Sequence, residues 1–88
     1  MKKYLNKLHY RSWHRGTKEA DLFLGNFFDN NQEQIIKINP VHYETFLNAI
    51  NDGEIMHIIK GNYNWPDNVS IEIINLLEDY IKSAGFRE

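Results

Sequence analysis

The chain has 88 residues, no cysteine and a formal net charge of −2. A single domain of this length buries only about 60% of the surface its unfolded chain exposes, which leaves little room for a deep, dry catalytic cavity. With 42% hydrophobic and 25% charged residues it is too apolar for a disordered tail, and without cysteine it has no disulfide, thiol nucleophile, iron–sulfur ligand set or zinc finger.

Helical periodicity runs through the chain, and no clean apolar/polar alternation persists. Met1-Lys2-Lys3 resembles the start of a signal peptide, but Tyr4-Leu5-Asn6-Lys7-Leu8-His9 is too polar to follow it as an apolar core. No run approaches the ~18 apolar residues of a membrane span, so a cytoplasmic chain without direct membrane insertion is expected. The first helix is predicted from about Lys3 to His14, with Gly16 interrupting. A second follows from Thr17, its cap, to about Asn30, with Ala20, Phe23, Leu24, Phe27 and Phe28 as its apolar stripe. Asn30-Asn31-Gln32 reads as its end. Asn39-Pro40 starts a third helix, which buries Tyr43, Phe46, Leu47 and Ile50. Asn51-Asp52-Gly53 reads as a tight turn, and a short fourth helix, about Glu54 to Lys60, stops at Gly61. Asp67 is the expected cap of a last helix reaching about Ser83, with Ile71, Ile74, Leu77, Tyr80 and Ile81 at helical spacing. The expected fold is all-α, a small five-helix bundle forming a single domain over 1–88.

Charge is unevenly placed. Residues 1–18 hold six bases and no acid, whereas the rest hold four bases and twelve acids. A basic end on an acidic body suits an oriented electrostatic encounter, and equally a solvated basic helix without a role. Tyr4, Tyr10 and Trp13 beside these bases offer a stacking strip for nucleic acid, but the acidic remainder would repel it.

Signs of catalysis are sparse. His9, His14, His42 and His57 include no pair spaced as a helical metal site. The glycines form no phosphate loop, and Ser12, Ser70 and Ser83 lie in no nucleophile elbow. Acidic neighbours such as Glu19 with Asp21, or Glu78 with Asp79, do not face each other on a helix. What remains is the segment Arg11-Ser12-Trp13-His14-Arg15-Gly16-Thr17-Lys18-Glu19-Ala20-Asp21-Leu22. Arg15 carries a planar fork of donors, Gly16 can take positive φ or admit a close backbone, and Glu19 opens a helix. An internal ion pair beside a helix-breaking glycine explains the same residues without any partner.

The Arg-Gly-x-x-Glu pattern at Arg15, Gly16 and Glu19, with Asp21 behind it and Leu8-x-Tyr10-Arg11-Ser12 before it, resembles the signature of the SdhE, or flavinator, family of succinate dehydrogenase assembly factors. The likeness continues through Phe27, the Tyr43–Ile50 helix, the Asp52 turn and the last helix. His14 departs from it, standing where the family usually has a second Arg, which weakens the basic patch. Thr17, the Asp52-Gly53-Glu54 turn and Ile58 depart as well. The resemblance implies a non-catalytic chaperone that binds the flavoprotein subunit of succinate dehydrogenase, and in some bacteria of fumarate reductase. It promotes the covalent bond between a partner histidine and the FAD 8α-methyl carbon. By the same resemblance the chain itself holds no cofactor stably. Arg15 would bond partner acceptors, Gly16 would permit close approach, and Glu19 would accept from the partner or brace Arg15. Arg11, His14, Lys18 and Asp21 would form the rim. Some relatives are described as antitoxins acting on cytoskeletal proteins, so that role and a nucleic-acid-binding helical domain stand as rivals.

Overall fold

The computed structural model describes residues 2–85; Met1 and residues 86–88, included in the expected 1–88 domain, lie outside them. Among the described residues there are five α-helices and no strand: α1 (Lys2–Trp13), α2 (Lys18–Ile38), α3 (Pro40–Ala49), α4 (Asp52–Lys60) and α5 (Ile71–Ser83). The all-α bundle expected from the periodicity is the fold found. None of these helices is long and apolar enough to cross a membrane.

The central element is α2. Its stripe of Ala20, Phe23, Leu24, Phe27 and Phe28 is buried as the spacing requires. The expected stop at Asn30–Gln32 is only a kink. Asn31 leaves helical geometry (φ −124°, ψ 18°) and its side-chain amide donates to the Phe27 carbonyl at 2.9 Å. The helix then resumes, because carrying it on buries Ile35 completely. Burial of one isoleucine is worth roughly 1.5–3 kcal/mol, more than a local preference of asparagine for turns.

Asn39 both ends α2 and caps α3, accepting from the Val41 amide at 3.0 Å, with Pro40 at the first helical position. The predicted Asn51–Gly53 turn is mostly helix. Asn51 is the N-cap of α4 and exchanges two hydrogen bonds of 2.9 Å with Glu54, so Asp52 and Gly53 already lie inside the first turn. Gly61 closes α4 at φ 85°.

The last helix starts later than expected. Ser70, not Asp67, caps it, and Ile73, Leu77 and Ile81 face the core. Ile71, in the first turn beside the cap, stays exposed. The loop before α5 is held by aromatics: Trp65 packs edge-on against Tyr63 and tilts against Phe46, and the Tyr63 hydroxyl donates to Glu54 at 3.1 Å.

Trp13 and Ser12 help to fix α1. The Trp13 indole lies directly over Gly25 of α2, where a β-carbon would stand 2.2 Å from the ring. Its Nε1–H donates to Asp29 at 3.2 Å. Ser12, wholly buried, donates to the Leu8 carbonyl at 2.8 Å and shares a 2.6 Å hydrogen bond with the Tyr43 hydroxyl on α3. That pairing satisfies two hydroxyls inside the apolar core, where an unmet one would cost free energy.

Candidate functional site

The segment 14–17 turns between α1 and α2. Thr17 caps α2, accepting from the Ala20 amide at 3.2 Å, and Gly16 sits exposed in the turn at φ 120°. That conformation is open to glycine and strained for any other residue.

Arg15 is held from both ends. Its backbone N–H donates to Asp21 in the first turn of α2. Its guanidinium is turned inward onto the junction of α3 and α4. Nη2 donates to the Ile50 carbonyl at 3.1 Å, Nη1 reaches the Leu47 carbonyl at 3.5 Å, and Nε lies 3.4 Å from Asp52 Oδ1. The two carbonyls belong to the C-terminal end of α3, where acceptors lack intrahelical partners and the helix dipole favours a cation. The Arg15 side chain is 13% exposed and that of Asp52 30%, so the pair is partly shielded from water. Arg15 therefore pairs with Asp52 across the fold rather than with Glu19 four residues on.

Arg11 behaves similarly. It donates to Asn48 at 2.6 Å and lies 3.6 Å from Glu44, both on α3. Glu44 also accepts from the Tyr4 hydroxyl at 2.7 Å and is 4.0 Å from Lys7. Burial first, and then this carboxylate, push the Tyr4 phenol up to about 12. His9 lies 3.3 Å from Asp29. Three of the six bases counted in residues 1–18, Lys7, Arg11 and Arg15, thus lie beside acids of the same chain, and two members of the supposed stacking strip, Tyr4 and Trp13, are packed against the fold.

Of the seven residues singled out from the sequence, His14, Gly16, Lys18 and Glu19 face outward. The His14 ring stacks on Tyr10 at 4.1 Å, nearly parallel, and its Nδ1 lies 2.9 Å from the Tyr10 carbonyl oxygen. Beside Gly16 a shallow groove of about 380 Å³ runs between the first turns of α2 and α4, lined by Thr17, Glu19, Ala20, Asp52, Ile55 and Met56 among others. The seven residues singled out from the sequence thus divide in two. Arg11, Arg15 and Asp21 tie α1 and the turn to other helices or to each other, and His14, Gly16, Lys18 and Glu19 present a surface. Asp52 joins the first group although the sequence reads it only as part of a turn, because its partner Arg15 lies 37 residues away.

Residues 6–81 match the family described as flavinator of succinate dehydrogenase. The chain belongs to this family. Comparison with curated proteins and with solved structures returns no match. The flavinator family is one of assembly factors for succinate dehydrogenase, and the matched span takes in the whole Arg15–Glu19 turn, all of α2, α3 and α4, and α5 as far as Ile81. Within the matched span the turn is a glycine-centred loop, exposed at Gly16 and pinned to the ends of α2, α3 and α4.

Proposed function

We propose that this chain docks through the Arg15–Glu19 turn onto the flavoprotein subunit of succinate dehydrogenase and promotes its covalent flavinylation without catalysing the bond itself. What carries the reading is the exposed, positive-φ Gly16 loop within a chain that matches the family over residues 6–81. Gly16 lets a partner backbone come close, and His14, Lys18 and Glu19 supply polar contacts around it. Because the loop is already fixed by Arg15 and Asp21, little ordering entropy is lost on docking. By favouring one arrangement of the flavoprotein the chain raises its population, and the chemistry stays with the flavin and the flavoprotein. FAD is the partner's cofactor, and none is held stably here. The encounter takes place in the cytoplasm, and the fumarate reductase flavoprotein is a second target for the same surface.

The test is covalent flavin fluorescence in a denaturing gel. The succinate dehydrogenase flavoprotein is expressed with FAD, with and without this chain, beside Gly16→Arg and an Arg15→Ala/Glu19→Ala variant. Wild type is expected to raise covalent flavin and both variants to lose that gain, with Gly16→Arg retaining wild-type helicity. Equal covalent flavin in all lanes would reject the reading.

A further inference from the structure

We infer that Asp52, at the first position of α4, is the positioning residue of the docking turn, holding it in the shape that the partner meets. The inference rests on the reading of that turn as the docking surface, and it assigns the work to a residue outside the turn. The Asp52 carboxylate faces it with both oxygens. Oδ1 lies 3.4 Å from Arg15 Nε. Oδ2 stands 3.0 Å from the place a β-carbon on Gly16 would occupy. One oxygen therefore holds the arginine while the other lies against the glycine.

The geometry makes Arg15 and Asp52 a single device. The guanidinium spans the Ile50 carbonyl and Asp52 at once, which joins the last turn of α3 to the first turn of α4. Only a planar fork does this; a lysine ammonium would reach one or the other. Asp52 is itself fixed, because the Asn51–Glu54 capping box sets the first turn of α4. The acid also suits the positive end of that helix. Asp21 holds the Arg15 backbone from the α2 side. Freed from Asp52, the loop keeps its glycine and its outward charges but loses one anchor of its conformation.

The experiment compares wild type, Asp52→Ala, Asp52→Asn, Arg15→Ala and the Asp52→Ala/Arg15→Ala pair. For each, affinity for the purified flavoprotein subunit is measured under conditions where the chain is fully folded by circular dichroism. Amide hydrogen exchange at residues 15–19 is followed in parallel. Asp52→Ala is expected to weaken binding about tenfold, the scale of one charge-assisted hydrogen bond, and to speed exchange in the turn. Asp52→Asn, which keeps an acceptor at Oδ1, should fall between. The double variant should bind no worse than Arg15→Ala alone, since residues acting as one unit are not additive. A purely structural aspartate would lower the melting temperature and leave the affinity of folded protein unchanged; that result, or exchange at the wild-type rate in Asp52→Ala, overturns the inference. If wild type itself does not bind the flavoprotein, the partner reading fails, and the exchange data alone decide whether Asp52 orders the turn.

Discussion

Glycines divide sharply by what surrounds them. Gly16 is free of a side chain because its backbone is at φ 120° and Asp52 lies against it. Gly25 is free of one for a different reason: the Trp13 indole occupies the space, and the helical backbone there is unstrained. A methyl group at Gly25 cannot be absorbed by a small shift, since ring atoms would stand at 2.2, 2.3 and 2.5 Å from it. Gly25→Ala is therefore expected to destabilise by ~1–3 kcal/mol, the cost of overpacking, even though alanine is the better helix former. Urea unfolding followed by tryptophan fluorescence checks this, and a stabilised Gly25→Ala would mean that α1 is not seated on α2 as described. Ser12 shows the same dependence on surroundings. In the sequence it is one hydroxyl among several; in the fold it and Tyr43 complete each other inside the core.

Element boundaries were decided where local chemistry and burial agree or compete. Asn39-Pro40 and Gly61 acted as their local signals said, because caps need only the backbone groups next to them. Asn31 did not end α2, because Ile35 lay beyond it and had a core to enter. The start of α4 was set by a reciprocal pair, Asn51 with Glu54, which a reading of Asn-Asp-Gly as a turn overlooks. Replacing Asn51 by Ala removes the acceptor for the Glu54 amide and should cost about 1 kcal/mol. The measurement is the denaturant midpoint, with the unfolding slope unchanged. Glu54 keeps its hydrogen bond from Tyr63 through its other oxygen, so the loop before α5 should stay in place. A loss well above that figure would measure how much further stability the cap lends through Asp52 to the Arg15–Asp52 junction.

Across the whole molecule the tyrosines couple the core to alkaline pH. Tyr4, Tyr43, Tyr63 and Tyr80 all have phenols raised above the ordinary 10.0, in each case chiefly by burial. A group whose folded value is raised stabilises fully below its unfolded value and loses that contribution as pH climbs through the folded one. Stability should therefore hold up to about pH 10 and decline steadily above it, with Tyr4 titrating near 12 in the folded chain. Helical circular dichroism and tyrosinate absorbance should change together in this window. Tyr43→Phe should lower stability near neutral pH by ~1 kcal/mol, through the lost hydrogen bond with Ser12, and make the alkaline decline shallower. Loss of helicity below pH 10, before the phenols ionise, would contradict this account.

The amino-acid sequence alone determined the class of the fold, the buried stripes of α2 and α3, several caps and the place of the Gly16 turn. These depend on periodicity and on groups within a few residues of each other, so the local sequence contains their causes. It also carried the family likeness, because Arg15, Gly16 and Glu19 keep a fixed spacing. Only the tertiary structure decided which way those side chains face. Arg15 turns inward because the carbonyls of Leu47 and Ile50 and the carboxylate of Asp52, more than thirty residues away, supply acceptors that one helix junction leaves open. Glu19 remains outside because the arginine that could have paired with it is already held. A charge at a given position fixes what a residue can bond; which acceptor it meets is fixed by how the helices pack, and that packing is a property of the whole chain.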